Sequence, residues 1–162
     1  MLNPDQYLRS VHDIDLDALK AQGVDTLLMD LDNTLLPRDS SVIPADLIAW
    51  AASLREHGLH VCLVSNNWHQ RVHEVAEELG FELVAKAVKP LPFAFLRAMR
   101  LMNAKRRECV IVGDQMFTDV LGGKLLGVKT IMVLPLSASD LPHTLLLRRV
   151  EKVLLAGRQP QP

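Results

Sequence analysis

The stretch Asp30-Leu31-Asp32-Asn33-Thr34 sets two carboxylates and a hydroxyl within five residues, at the end of the apolar run Thr26–Leu31. Three more polar groups follow other apolar runs: Ser65-Asn66-Asn67, Lys89-Pro90, and Gly113-Asp114 with Asp119 five residues on. Phosphoryl transfer needs a nucleophile, a metal to neutralise oxygens, and donors for the remaining charge. One carboxylate can attack phosphorus and form an acyl phosphate, while a second protonates the leaving oxygen and then activates water. Carboxylate and carbonyl oxygens are the hard ligands that Mg²⁺ prefers. Lysine, hydroxyl and backbone N–H groups hold phosphate oxygens. Taken singly these groups read as an Asx turn, an N-cap, a solvated loop and a turn. As a set they supply each part of that chemistry once.

The elements between them explain how the set could converge. Asp46–His57 reads as a helix stopped by Gly58, Leu59–Val64 as a strand, and His69–Leu79 as a helix stopped by Gly80. A short strand near Glu82–Ala85, a helix Pro92–Met102, a strand Cys109–Val112, a helix Thr118–Leu126 closed by Gly127, and a strand Thr130–Leu134 complete the alternation. Strand and helix in series with short connections require right-handed crossovers and a mostly parallel sheet. The expected fold is therefore α/β, a three-layer, doubly wound sheet of five strands. Each interval between the polar groups, 30 to 65, 65 to 89 and 89 to 114, has room for one crossover. All four then meet at the carboxyl ends of the strands, where open α/β sheets bind ligands.

Bulk properties agree with one soluble domain over 1–162: a lead-in helix within 1–25 (Ile14–Gln22), a core over 26–134, a terminal helix Leu141–Leu155 and a frayed tail Gly157–Pro162. A formal net charge of −1 gives no global attraction to nucleic acid. Cys62 and Cys109 lie in apolar runs and read as buried thiols of a reducing compartment. The acidic N-terminus lacks an apolar signal core, and no run is long enough to span a bilayer, so a cytoplasmic protein is expected. His69 and His73 stand four apart but lack a third zinc ligand, and Gly122-Gly123-Lys124 is not a phosphate loop. Asn67, Trp68 and His69 are placed at the rim of the mouth, whereas Trp50, Phe93 and Phe95 read as packing residues.

Asp30-x-Asp32-x-Thr34, Ser65, Lys89 and Gly113-Asp114…Asp119 resemble motifs I to IV of the haloacid dehalogenase (HAD) superfamily of phosphohydrolases. The resemblance implies an HAD-like Rossmannoid core, with Asp30 as nucleophile and Mg²⁺ ligand and Asp32 as general acid/base giving its carbonyl to the metal. It implies Thr34 as loop organiser, Ser65, Asn66 and Lys89 as phosphate-binding groups, and Asp114 and Asp119 as further metal ligands, the latter directly or through water. Lys86 competes with Lys89 for the lysine role; the proline after Lys89 favours it. The intervals after Leu35 and between Ser65 and Lys89 leave no room for a cap domain. The open site suits a phosphate on a large or surface-bound substrate, or cover by a partner subunit.

The segment Asp13–Gly23 running into MDLDNTLLP, with Ser-Asn-Asn, Ala-x-Lys-Pro and Gly-Asp-Gln-x-x-Thr-Asp, is similar to the YqeG-type branch (subclass IIIA). That branch resembles phosphatidylglycerophosphate phosphatases, which implies a phospholipid headgroup phosphate as substrate and peripheral contact with the inner face of the membrane. Arg148, Arg149 and Lys152 on the terminal helix are the basic residues offered for such contact, against a core-packing helix with a solvated basic face. Lys105–Arg107 precedes a strand and belongs to the opposite end of the sheet. Sugar phosphates, nucleotides and phosphoproteins are alternative substrates, and a non-catalytic module on the same fold is a further alternative. A response-regulator receiver is disfavoured by motif order, since there the lysine comes last.

Overall fold

The computed structural model describes residues 2–137 and 142–162. Its centre is β2 (Thr26–Met29), a strand buried at every position and flanked by β3 (His60–Val64) and β5 (Cys109–Gly113). Alternate side chains of a strand face opposite ways, and β2 uses both. Leu27 and Met29 join the side chains of α2 (Ala45–Glu56) and α3 (Gln70–Leu79), whereas Leu28 packs among those of α4 (Phe93–Leu101). A sheet with two apolar faces and helices on both is the three-layer arrangement expected of continuous apolar strands.

The remaining strands are β1 (Gln6–Leu8), β4 (Glu82–Val84) and β6 (Lys129–Val133), and the order is β1-β6-β5-β2-β3-β4 with every pair parallel. The chain winds outward from β2 through β3 to β4, then crosses back to β5 on the other side. The topological switch point thus lies between β2 and β5. Register across it sets Met29 beside Val112, so the first residues beyond both strands stand at one end of the sheet.

There are six strands rather than five, because β1 joins the outer edge of β6. Three residues with one buried leucine carry no detectable period, and the strand exists through its neighbour's hydrogen bonds. The lead-in helix is shorter than expected, α1 (Leu16–Ala21), capped by the Asp15 side chain on Ala18 N–H. Nor is the tail frayed at its end: Gln161 N–H donates to the Tyr7 carbonyl at 2.7 Å, against the free edge of β1.

Glycines stop the helices where expected; Gly80 and Gly127 adopt φ of 70° and 66°, the left-handed conformation that closes α3 and α5 (Leu121–Leu126). The helix read over Thr118–Leu126 instead opens with a single π-turn, Met116–Val120. The terminal helix α6 spans Pro142–Leu154; Leu141 lies outside the described residues. Phe95 is buried as a packing residue, but Phe93 is 72% exposed, a departure from the reading that paired them. Two residues apart on a helix, Phe93 and Phe95 point to different faces, and only that of Phe95 meets the sheet. Both cysteines are buried in the α4-side core, and burial pushes each thiol up to about 12, as inert structural thiols require.

Candidate active site

Asp30 is the first residue after β2, and its N–H continues the ladder by donating to Val112 O at 2.9 Å. The chain then turns sharply: Asn33, Leu35 and Leu36 bond back within the segment, and Asn33 takes φ 62°, a left-handed conformation that asparagine tolerates. Asn33 is fully buried, with its Oδ1 accepting from Ser137 Oγ (2.7 Å) and Arg38 N–H (3.3 Å). This turn aims Asp30 and Asp32 into one cavity of about 580 Å³, lined also by Arg38, Ser65, Asn66, Lys89 and Thr118.

Lys89 is buried and bridges two of the acids, its Nζ lying 2.9 Å from Asp30 Oδ1 and 2.7 Å from Asp119 Oδ1. Lys86, its rival in sequence, is exposed, with its Nζ over the Trp68 ring at 5.7 Å. The backbone of Lys89 is positioned by Asn66, whose Oδ1 accepts the Lys89 N–H at 2.8 Å. Ser65 is buried and accepts from Asn67 N–H at 3.1 Å. Thr34 Oγ donates to Asp114 Oδ1 at 3.3 Å, tying the first loop to the fourth. All eight expected residues therefore gather at the switch point, seven of them buried and Asn66 at the rim.

Asp30, Asp114 and Asp119 offer carboxylate oxygens that all lie within 4.8 Å of one another. An all-oxygen donor set of this kind fits a hard divalent cation. Their crowding is visible in the titration behaviour. Burial raises the Asp30 carboxyl well above its usual value; Lys89 opposes this, and Asp119 and Asp114 add to it. Burial and then Asp119 raise Asp114 as well, with Arg148 pulling the other way. Burial works against the charge on Lys89, but Asp119 and Asp30 outweigh it and hold the ammonium above its ordinary range.

Two cations of the site were not legible from the motifs. Arg71, in the first turn of α3, donates to Asp32 Oδ1 at 2.7 Å and also to the carbonyls of Ser40 and Pro37. It clamps the loop after β2 over the second carboxylate, whose other oxygen accepts from Asn67 Nδ2 at 3.3 Å. Arg148 corrects the reading of the terminal helix. It does not belong to a solvated basic face but turns inward, pairing with the Asp114 carboxylate and reaching the Asp114 carbonyl at 3.3 Å. Glu151, one turn on, accepts the Met116 N–H at 2.7 Å. Only the long-range packing of α6 over the site reveals these contacts; a helix rich in Leu, Arg and Lys announces nothing of the kind. Asn67, Trp68 and His69 do line the mouth.

The approach of β5 to the π-turn demands glycine at 113. A Cβ there would lie 2.2 Å from the Asp119 carboxyl carbon. Gly113→Ala should push Asp119 off Lys89 and cost about 1–3 kcal/mol, the scale of overpacking a tight site. Urea unfolding checks this; a variant as stable as the parent removes the close approach as a constraint.

Comparison with known proteins agrees with the geometry. A model of the haloacid dehalogenase-like hydrolases matches residues 27–88, and a HAD-hydrolase-like model matches residues 86–135. The protein called "Probable phosphatase YqeG" in Bacillus subtilis is 41% identical over 154 residues, covering 95% of this chain and 90% of that one. The chloroplastic phosphatidylglycerophosphate phosphatase 1 of Chlamydomonas reinhardtii is 28% identical, over 90% of this chain and 58% of its own length. A subfamily III A HAD hydrolase from Legionella pneumophila shares the fold, with a TM-score of 0.52 at 17% identity, covering 82% of this chain and 73% of that one.

Proposed function

Since the chain belongs to the haloacid dehalogenase-like phosphatases, on the branch of YqeG, we propose that it hydrolyses a phosphomonoester through an aspartyl-phosphate on Asp30. The observation that carries this reading is the position of Asp30: buried at the switch point, salt-bridged to Lys89 and within reach of Asp114 and Asp119. Mg²⁺ is the proposed cofactor, held by Asp30, Asp114 and Asp119 together with the Asp32 carbonyl; when bound it neutralises phosphate oxygens and the crowded carboxylates.

In the first step an Asp30 carboxylate oxygen bonds to phosphorus as the ester P–O bond breaks. The electron pair leaves on the ester oxygen, which takes a proton from Asp32. In the second step Asp32 accepts a proton from water, the resulting hydroxide oxygen bonds to phosphorus, and the acyl phosphate P–O bond breaks to restore Asp30. Lys89, Ser65 and Asn66 hold the phosphate oxygens, Thr34 keeps the first loop in register with Asp114, and Arg71 steadies Asp32 between the two steps.

A phospholipid headgroup phosphate is the proposed substrate. The relative from Chlamydomonas reinhardtii bears that activity in its name, and among the described residues no cap covers the cavity to enclose a small molecule. A cytoplasmic enzyme working at the inner membrane face follows from that substrate; no helix among the described residues is long and apolar enough to cross a membrane. The test is phosphate release from phosphatidylglycerophosphate, sugar phosphates and nucleotides, each with Mg²⁺ and with EDTA. Preference for the lipid by at least tenfold in kcat/KM, lost with EDTA and restored by Mg²⁺, is expected. Equal use of all three substrates rejects the lipid assignment, and EDTA-resistant turnover rejects the metal.

A further inference from the structure

Among the described residues, the mouth of the active site is bordered on one side by apolar side chains that the core does not use. Trp68 is 57% exposed, Val88 62%, Leu91 49% and Phe93 72%. They are continuous with the catalytic cavity rather than scattered. Asn66 and Trp68 line that cavity and also a hollow shared with Lys86 and Val88. Lys86 and Val88 in turn line a third hollow with Leu91, Phe93 and Arg97. The charged residues of the two outer hollows are both cations, Lys86 and Arg97, and no carboxylate lines either.

Lys86 and Val88 have φ of 51° and 54°, the left-handed conformation that non-glycine residues rarely adopt. For a β-branched valine this conformation is unfavourable, yet it presents the side chain to solvent. A second set of exposed apolar groups, Leu146, Val150 and Val153 on α6, shares no residue with these hollows.

Exposed Trp, Phe, Leu and Val with flanking cations are the composition that settles at a bilayer–water interface, where tryptophan prefers the headgroup level and Lys and Arg meet anionic lipid. Charge decides between lipid and a second copy of this chain, since a like surface would set the two cations against their equals. We propose that Trp68, Lys86, Val88, Leu91, Phe93 and Arg97 form a docking surface for an anionic lipid bilayer. Docking there brings the mouth down to headgroup level, because the edge that meets the membrane is the edge of the cavity. This deepens the lipid-substrate reading and rests on it, and it moves the membrane contact from the terminal helix to the rim.

Of the two tryptophans in the chain, Trp50 is buried and Trp68 exposed, so a fluorescence blue shift on binding reports Trp68. Vesicles of phosphatidylglycerol mixed with phosphatidylcholine should bind the protein, weaken with salt and shift its emission; vesicles of phosphatidylcholine alone should bind at least tenfold less. Leu91→Ser with Phe93→Ser, and separately Lys86→Glu with Arg97→Glu, should each lower affinity for the anionic vesicles at least tenfold while turnover of p-nitrophenyl phosphate stays within twofold. The charge pair lies at the surface, so its result stands even if the apolar pair misfolds. Absence of vesicle binding by the wild type, undiminished binding by the charge variant, or dissolution of a dimer with vesicle binding intact overturns the proposal. An inactive wild type that still docks overturns the catalytic reading alone.

Discussion

Asp30→Asn is expected to abolish phosphate release, with turnover of p-nitrophenyl phosphate falling by about 10⁴-fold or more, the scale on which removing a covalent nucleophile acts. An amide nitrogen or oxygen in that place cannot form the acyl phosphate, yet the side chain keeps its shape, so the loss is chemical rather than architectural. Stability without divalent cation should move the other way. In the folded chain the Asp30 carboxyl lies well above its usual value, through burial first, which Lys89 opposes, and then through Asp119 and Asp114. A native group that binds its proton more tightly than the unfolded chain stabilises the fold at low pH, and that contribution is lost as pH rises from roughly 4 through the native value. Urea midpoints of wild type and variant should therefore coincide near pH 4 and separate in favour of the variant toward pH 7. A residual rate within tenfold of the wild type would reject Asp30 as nucleophile, whatever the stabilities.

How much of this was legible beforehand follows physical lines. Strands buried on both faces announce themselves as apolar runs, so β2, β3 and β5 were readable from TLLM, HVCLV and CVIVG. Their ends were readable because a carboxylate or hydroxyl directly beyond such a run has nowhere to go but the sheet's rim. Parallel order then forced Asp30, Ser65, Lys89 and Asp114 together without any contact being known. What failed was whatever depended on distant partners. β1 is a strand only because Gln6 finds Ile131, and its three residues carry no period of their own. Arg71 and Arg148 have the look of solvent-facing helix residues, and only packing shows that one reaches Asp32 and the other Asp114. By sequence Phe93 and Phe95, two residues apart, read as one packing pair. On a helix that spacing points to different faces, and only Phe95 meets the core.

Lys89→Met tests the other half of the constellation, and it should damage stability and chemistry together. The ammonium bridges Asp30 and Asp119, all three side chains being almost closed to water, and removing one partner of a buried ion pair costs about 3–5 kcal/mol because the remaining charges are left uncompensated. Here the uncompensated charges are Asp30 and Asp119, with the Arg148-paired Asp114 offering a carboxylate oxygen within 4.8 Å of both. The sign with pH is clear: burial depresses the lysine, Asp119 and Asp30 overcome it, and the native value lies above the ordinary one. Such a group contributes its full stabilisation below the unfolded value of roughly 10.4, and loses it only as pH rises through the native value. At pH 7 the variant therefore carries the whole penalty. With Lys89 gone the Asp30 carboxyl moves still higher, so the acid limb of any residual kcat/KM profile should shift to higher pH, while kcat falls on the order of 10²-fold or more with the loss of a phosphate-binding cation. Lys86→Met provides the contrast, because its exposed ammonium touches a tryptophan ring and no carboxylate of the site; stability should change by no more than about 0.5 kcal/mol. If Lys86→Met silences the soluble-substrate reaction and Lys89→Met spares it, the lysine role belongs three residues earlier, and the buried bridge between Asp30 and Asp119 is only a structural pair.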